Sequence, residues 1–187
     1  MKNKNYLLLL FIFCCVSFTN AADNKSLELL EKAISTSSVI LNLENTDMRS
    51  YDLSNLQNEH SSINFIGANL KRANFSGMNL EGINFSNANL EGADFSDAFI
   101  KNCVFKGAKG KGANFRGVRI HETNFTYSFL SDTDFSIARL ISVSFNFANL
   151  EKANFDKSDI ESVSFDHSIQ TKMTRRSAKI RKTSGLD

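Results

Sequence analysis

The chain is 187 residues long, with 42% hydrophobic and 22% charged residues, and its formal net charge at pH 7 is +2. These values are ordinary for a folded protein, and the length predicts one domain. If the first 22 residues are removed, Lys2 and Lys4 leave with them, and 20 basic residues face 20 acidic ones. This balance excludes a strongly acidic or strongly basic protein as a whole.

Residues 1–22 predict a secretory signal peptide. Lys2 and Lys4 precede an apolar run at 6–18, and small residues suited to cleavage end at Ala22. A membrane anchor is the alternative, but the apolar run is shorter than the roughly 20 residues that a spanning helix needs. We therefore expect export, to the periplasm or out of the cell.

A helix is predicted over 24–37, with Asp23 or Asn24 available as its N-terminal cap. Its apolar residues recur at helical spacing, at Leu27, Leu30, Ala33 and Ile34. The open end of a stack of strands exposes core and strand edges, and such an end needs a cover. We therefore assign residues 23–40 to an N-terminal capping helix.

Residues 41–62 hold a first set of repeats in a different frame from the main array. From Leu53 to Phe65 the chain advances by two positions more than a multiple of five. We predict that an interruption at 56–62 bulges from an otherwise continuous coil.

A five-residue repeat runs from 63 to 167, inside a main array that we bound at 63–170. Phe occupies every tenth position from Phe65 to Phe165, Leu or Ile fills nine of the ten positions midway, and Gly110 is the exception. Small, β-branched or other apolar residues stand two positions before each of these Phe, Leu and Ile residues, so both point to the same side of an extended strand. Asn, Asp and Gly between them predict corners. An α-helix is excluded because its period does not fit five.

The repeat has a recognisable form, which reads Ala68-Asn69-Leu70-Lys71-Arg72 and then Ala73-Asn74-Phe75-Ser76-Gly77. With this pattern the sequence resembles the pentapeptide-repeat family over the whole stretch from 63 to 167. The resemblance implies an all-β fold, a right-handed quadrilateral β-helix with four pentapeptides in each coil. Residues four pentapeptides apart would then stack directly, with two interior stacks of Phe and with Leu and Ile on the other two sides.

Residues 171–187 are predicted to form a basic C-terminal tail. Apolar residues are few, mainly Met173, Ala178 and Ile180, so we expect a frayed helix or disorder. Its charge suits an anionic membrane surface, nucleic acid or an acidic protein, although such tails are usually only solvated ends. The positive charge comes from Lys172, Arg175, Arg176, Lys179, Arg181 and Lys182.

The outward position of the repeat departs from Asn and Asp mostly between 99 and 144. With residues of successive coils stacked, two outward ladders are expected, one of Phe99, Arg119 and Arg139 and one of Tyr127, Phe147 and His167 near Phe129. Exposed aromatic residues in a row offer a rigid binding area. The competing explanation is that such ladders only stabilise the coil stack. Our candidate partner contacts are Phe99, Arg119, Arg139, Tyr127, Phe129 and Phe147.

A run of basic residues between 101 and 119 surrounds the break in the repeat at Gly110. A phosphate-binding loop is one interpretation, but the glycines lack the strand-to-helix context of such a loop. The basic residues are also expected to spread round four faces as a belt. A weak repeat with a small cavity or local looseness at Gly110 is the better interpretation.

Catalytic chemistry is poorly supported by the sequence. The three histidines, His60, His121 and His167, are scattered, and no nucleophile and base are placed together. Removal of the signal peptide leaves only Cys103, which is expected inside the coil and cannot form an intramolecular disulfide. We expect no enzyme activity, no cofactor and no metal site.

These observations favour an exported, non-enzymatic solenoid that acts as a scaffold for an unidentified protein partner. Some relatives in the resembled family imitate duplex DNA and bind type II topoisomerases such as gyrase, which is the first alternative. Mimicry needs a strongly negative rod, whereas acidic and basic residues are almost equally numerous in 63–170. A structural envelope element that self-associates is the second alternative, and nucleic acid is disfavoured as a partner.

Overall fold

Eight short β-strands make up the regular secondary structure of the described chain. The computed structural model describes residues 41–42, 44–53 and 63–186. In this part there are no helices, and β1 pairs with β2 while the other six strands form one parallel sheet in the order β3 to β8. The strands are β1 Leu41–Asn42, β2 Ile63–Asn64, β3 Asn79–Glu81, β4 Phe99–Lys101, β5 Arg119–His121, β6 Arg139–Ile141, β7 Asp159–Glu161 and β8 Lys179–Arg181.

The chain winds into a four-sided parallel β-solenoid with four pentapeptides in each turn. The register between β3 and β4 pairs Leu80 with Ile100, and the same spacing continues to β8. Three further ladders of single parallel bridges repeat at this spacing. Face 1 is the ladder Asn64, Asn84, Val104, Asn124, Ser144, Ser164 and Ser184. Face 2 is the ladder Asn69, Asn89, Lys109, Phe129, Asn149 and Ile169, and face 3 is the ladder Asn74, Asp94, Asn114, Asp134, Asn154 and Thr174. The sheet from β3 to β8 is face 4. The predicted all-β solenoid is confirmed, and its right-handedness stays a prediction.

The corners between faces explain why Asn and Asp are so frequent. The side-chain oxygen of Asn74 accepts a hydrogen bond from the amide of Ser76 at 3.0 Å, and Asp94 accepts one from Ser96 at 2.9 Å. The residue after each such amide takes a positive φ, as Gly77 does at 67°. Short Asx side chains and left-handed residues together turn the chain through each corner.

The interior is filled by two stacks of Phe side chains. Rings one turn apart on faces 1 and 3 stack at centroid distances of 4.5 to 5.3 Å. The two stacks meet edge to face at 5.5 to 6.2 Å, so rings in the middle of the rod contact others above, below and beside them. All eleven are fully buried: Phe65, Phe75, Phe85, Phe95, Phe105, Phe115, Phe125, Phe135, Phe145, Phe155 and Phe165.

The break at Gly110 is accommodated by its neighbour on the next turn. Cδ2 of Leu130 lies 2.9 Å from the position that a Cβ on Gly110 would occupy. Leu130 therefore takes up part of the volume that the missing side chain leaves, and the backbone bond from Gly110 to the Phe129 carbonyl remains intact at 2.8 Å. The looseness expected here is not seen in the backbone pairing.

The first repeats join the solenoid with a longer turn. Leu41 pairs with Ile63, and Asp52 pairs with Asn74, whereas Leu80 further along the rod pairs with Ile100. The first turn is thus longer by two positions, in agreement with the frame shift in the sequence. The interruption expected at 56–62, the capping helix over 24–37 and the signal peptide at 1–22 lie outside the described residues.

The prediction of a frayed helix or disorder after 170 is wrong. Strand β8 pairs with β7, and Thr174 and Ser184 continue the ladders of faces 3 and 1. The preceding coil offers a row of backbone groups, which the last residues satisfy, for example through the Lys179 amide and the Ser158 carbonyl at 2.8 Å. Residues 171–186 therefore form a further coil rather than a tail, even though its inward positions carry few apolar side chains.

Candidate interaction surfaces

Exposed aromatic side chains line the corner between faces 1 and 2. The rings of Tyr127 and Phe147 stack at 4.9 Å, and those of Phe147 and His167 stack at 4.8 Å. Phe129 lies two positions beyond Tyr127 on face 2, and Ile169 belongs to the same ladder. The exposed fractions of Tyr127, Phe129 and Phe147 are 51%, 54% and 46%. We call these five residues the aromatic surface.

The second group of predicted contacts lies on face 4. Phe99 on β4 is directly opposite Arg119 on β5, which is directly opposite Arg139 on β6. Ile137 stands at the corner just before β6 with 47% of its side chain exposed. We call Phe99, Arg119, Ile137 and Arg139 the arginine surface.

The six candidate residues do not form one patch. Faces follow each other in chain order around a four-sided turn, so faces 2 and 4 lie on opposite sides. The structure brings Phe99, Arg119 and Arg139 together, and it brings Tyr127, Phe129 and Phe147 together. The stacking within each ladder agrees with the expectation that residues one turn apart lie directly above each other.

Sequence reasoning missed Ile137. Its φ is +61°, a left-handed conformation in which a β-branched residue is an outlier. The residues one turn before and one turn after it are Gly117 and Lys157, which are easier to hold in this conformation. A β-branched residue at a corner position of the repeat was the signal that could have identified it.

Replacing Ile137 with Gly is expected to change the free energy of unfolding by less than about 0.5 kcal/mol. The left-handed conformation costs Ile roughly 1–2 kcal/mol, and Gly adopts it without this cost. This gain offsets the packing that is lost with the side chain and the added freedom of the unfolded chain. Ile141 is partly buried in an extended strand, so Ile141→Gly should lower the same quantity by about 1–3 kcal/mol. Urea denaturation followed by circular dichroism measures the free energy of unfolding of both variants. Equal losses of stability in the two variants would contradict the strain at Ile137.

The basic residues around Gly110 do not converge on one site. Lys101 forms an ion pair with Glu81 on the preceding strand, and Nη1 of Arg116 donates a hydrogen bond to Ser136 at 3.1 Å. Lys109 belongs to face 2, while Arg119 belongs to face 4. The spread around the rod matches the expected belt and disfavours a phosphate loop.

A shallow polar hollow of about 460 Å³ lies along face 1. It is lined mainly by hydroxyl groups, and Oγ1 of Thr126 lies 3.3 Å from Oγ of Ser144. Among the described residues that line it, Glu122 alone is ionisable. Across 41–42, 44–53 and 63–186 no group of three or more His, Cys, Asp and Glu residues is placed to hold a metal ion.

Cys103 is buried inside the coil, where its thiol lies 3.4 Å from the carbonyl oxygens of Leu80 and Lys101. Burial raises the pKa of the Cys103 thiol to about 11. Because the thiolate is the nucleophile, this thiol is suited to packing and not to catalysis.

We expect Cys103 to resist iodoacetamide near pH 8 in the folded protein and to react once the chain is unfolded, as mass mapping of its peptide will show. Since the folded pKa lies above the unfolded value of about 8.5, the thiol stabilises the fold below about pH 8.5, and this contribution disappears as pH rises through about 11. Cys103→Val copies Val143 and Val163 in the same column and should flatten this alkaline loss. Rapid labelling of the folded protein would contradict the burial.

Across residues 41–42, 44–53 and 63–186, the structure contains no helix with the length and hydrophobicity of a membrane-spanning segment.

Comparison with protein families matches the chain to the model described as "Pentapeptide repeats (8 copies)". The matched stretches are residues 63–102, 88–126, 100–136, 120–156 and 133–169. Together these overlapping stretches run without a gap through the main array. A comparison with curated proteins finds no match.

Solved structures that are similar to this chain are also repeat proteins. A pentapeptide repeat protein from the Arabidopsis thaliana thylakoid lumen is 32% identical, covering 50% of this chain and 61% of that chain, with a TM-score of 0.43. The trypsin-treated form of QnrB1, a plasmid-mediated fluoroquinolone resistance protein, is 17% identical over 76% of this chain and 91% of that chain, with a TM-score of 0.40. HetL, from the cyanobacterium Nostoc sp. strain PCC 7120 and involved in heterocyst differentiation regulation, is 18% identical over 81% and 92%, with a TM-score of 0.27. This chain matches about three fifths of the thylakoid protein's length.

Proposed function

The chain belongs to the pentapeptide-repeat family, and from that premise we propose that it is an exported, non-enzymatic solenoid that binds a protein partner. The aromatic surface carries this proposal. Large exposed aromatic side chains on a rigid support are typical of the residues that contribute most to protein interfaces. The outward residues of a solenoid can change while the coil stays the same, so the binding function resides in this surface and not in the fold.

The coil itself does not require aromatic residues at these positions. The column that contains Tyr127 and Phe147 also contains Gly67, Asn87 and Gly107, all of which turn the same corner with positive φ. Their backbone amides make the same bonds to the next coil, at 2.9 to 3.1 Å. The upstream coils therefore form the same corner without aromatic rings. This favours a binding role for the rings over a purely structural ladder.

The test of partner binding compares the wild-type chain with Tyr127→Gly/Phe129→Asn/Phe147→Asn. Each substitution copies a residue found in the same column or ladder, so the circular dichroism spectrum should not change. Immobilised wild-type protein is expected to retain a specific partner from an extract of the producing cells, and the triple variant is expected to lose it.

A matched control changes three exposed residues at the corner between faces 2 and 3, as Arg72→Asn/Lys111→Asn/Lys152→Asn. It should retain the same partner as the wild type. If the control loses the partner while the aromatic variant keeps it, the aromatic surface is not the contact.

Export is tested by cell fractionation and intact mass of the natively produced protein. A chain that begins near Ala22 or Asp23 and lies outside the cytoplasm is the expected result. A full-length chain in the cytoplasm would refute export and leave protein binding to be judged by the capture experiment.

Imitation of duplex DNA is the weaker candidate. A mimic needs a continuous negative surface, and here Lys101, Lys109, Arg116 and Arg119 are distributed around the middle of the rod. A structural envelope element formed by self-association is the other candidate, and sedimentation analysis that finds only monomers would count against it.

A further inference from the structure

Two arginines face each other on adjacent strands of face 4. Arg119 and Arg139 are directly opposite in the register of β5 and β6, a separation of about 4.8 Å between strands. Elsewhere the rod places opposite charges at this spacing, as in Lys71 with Glu91 at 2.9 Å and Glu81 with Lys101 at 3.0 Å. Like charges directly opposite each other destabilise a sheet.

Neither guanidinium is neutralised by the described part of the chain. No ion pair or side-chain hydrogen bond there involves Arg119 or Arg139. Asp159 is opposite Arg139 in the register, but its carboxylate binds Arg181 at 2.7 Å. The two arginines therefore present unused hydrogen-bond donors to solvent on a rigid sheet.

Exposed apolar side chains stand beside this pair. Phe99 lies one strand before Arg119 with 36% of its side chain exposed, and Ile137 lies at the corner beside Arg139. Ile137 is also held at a left-handed φ of 61°, which costs free energy. The corner itself requires the left-handed φ, but neither the β-branched side chain there nor the two opposed arginines are required by the coil, and such departures from local preference are expected at functional sites.

We propose that the arginine surface binds a short acidic segment of a protein partner. A carboxylate of this segment bridges the guanidinium groups of Arg119 and Arg139, because the planar donors of Arg match a carboxylate. Neighbouring apolar side chains of the segment pack on Phe99 and Ile137. The adjacent strands β4, β5 and β6, which carry Phe99, Arg119 and Arg139, together span about 10 Å, and this is the length of about three extended residues.

The surrounding charges favour a short segment over a long polyanion. Glu81, which is paired with Lys101, lies before the arginine pair along the rod, and Asp159 and Glu161, both paired with Arg181, lie beyond it on β7. A nucleic acid or an anionic lipid surface that extended along face 4 would meet these carboxylates on both sides. A peptide with one or two carboxylates is short enough to lie on the unpaired arginines without reaching those carboxylates.

This inference names the chemistry of the partner and rests on the proposed function of protein binding. Its test measures the fluorescence anisotropy of a labelled peptide in which Glu alternates with Leu, and of a second peptide with Lys in place of Glu. Arg119→Gln/Arg139→Gln is expected to weaken binding of the acidic peptide by at least about tenfold, and Arg119→Lys/Arg139→Lys by about threefold. The Lys peptide should not bind.

The matched control is Arg72→Gln/Lys152→Gln, which removes the same two positive charges at the corner between faces 2 and 3. It should bind the acidic peptide as the wild type does. Equal weakening by both double variants, or no binding of the acidic peptide to the wild type, would overturn the proposal. Tighter binding of a short DNA duplex or of phosphatidylglycerol vesicles would overturn it in favour of those partners.

Two further variants separate this proposal from its premise. Ile137→Gly should weaken peptide binding by about threefold without loss of stability, which a structural role for Ile137 does not produce. Tyr127→Gly/Phe129→Asn/Phe147→Asn should bind the peptide normally. If that variant and the wild type both bind the peptide but no partner is captured from cells, the proposed function fails and the arginine surface stands.

Discussion

Replacing Phe115 with Ala is expected to lower the free energy of unfolding by about 3–5 kcal/mol. The ring lies in the middle of its stack, 4.8 Å from Phe95 and 4.7 Å from Phe135, and it meets Phe105 and Phe125 edge to face at 6.2 and 5.9 Å. Its loss removes buried apolar surface and leaves a cavity that stacked rings on a paired backbone cannot close. Guanidinium denaturation followed by circular dichroism measures the change.

The control for this prediction is Phe147→Ala, which removes a ring that is 46% exposed. We expect a loss below about 1 kcal/mol there, because the ring contributes a stacking contact and little burial. A loss at Phe115 no larger than at Phe147 would mean that the interior is not packed around the Phe stacks as the structure shows.

Replacing Leu130 with Ala is expected to lower the free energy of unfolding by an amount near the upper end of about 2–5 kcal/mol. Leu130 is buried and extends a methyl group towards Gly110, which has no side chain of its own. Removing it joins the space at both positions into one cavity, and the cost of a core truncation rises with the volume that stays empty.

Leu140→Ala provides the matched comparison, since Leu140 is equally buried and has Ile120 and Ile160 in register on both sides. We expect the Leu130 variant to lose about 1 kcal/mol more than the Leu140 variant in the same denaturation assay. Similar losses would show that the neighbours of Gly110 close the gap by relaxation.

The stabilities of the Phe115 and Leu130 variants do not depend on a partner, and both depend on how the interior of the solenoid is packed. The interior is a column of interdigitated side chains in which each residue contacts its counterparts one turn away. A tightly packed stack of this kind limits the motion of the backbone that carries the aromatic and arginine surfaces. Both surfaces are therefore held in place before any partner binds. Pre-organised contacts lose less entropy on binding than mobile ones.

Much of the fold was predictable because the side-chain pattern is local and repeats. Phe at every tenth position, Leu or Ile midway between, and the smaller residues two positions before each of them specify which side of every strand faces inward. Four pentapeptides per turn was an implication of the family resemblance, and the register confirms it from β3 to β8. The stacking of Tyr127 on Phe147, and of Arg119 beside Arg139, followed from that spacing.

The last coil was not predictable from its own residues. Arg175 and Gly185 stand where earlier coils place Phe, so the apolar pattern that identifies those coils is absent. Backbone pairing with the previous turn holds it in place, and such pairing depends on residues that are a whole turn away in the sequence. A prediction that weighs only the apolar content of a segment misses stabilisation supplied by a neighbouring strand.

The repeat alone established a stacked β-fold and the inward and outward sides of the chain, because a strict period places the same side chains inward in every pentapeptide. The columns in which the candidate residues stack followed from the four-sided coil that the family resemblance implies. The placement of the candidates on two opposite faces, and the approach of Leu130 to Gly110, became visible only in the folded chain. These features depend on where the chain closes each turn and on what the adjacent turn places above and below. The winding of the whole solenoid sets them, and no single pentapeptide carries that information.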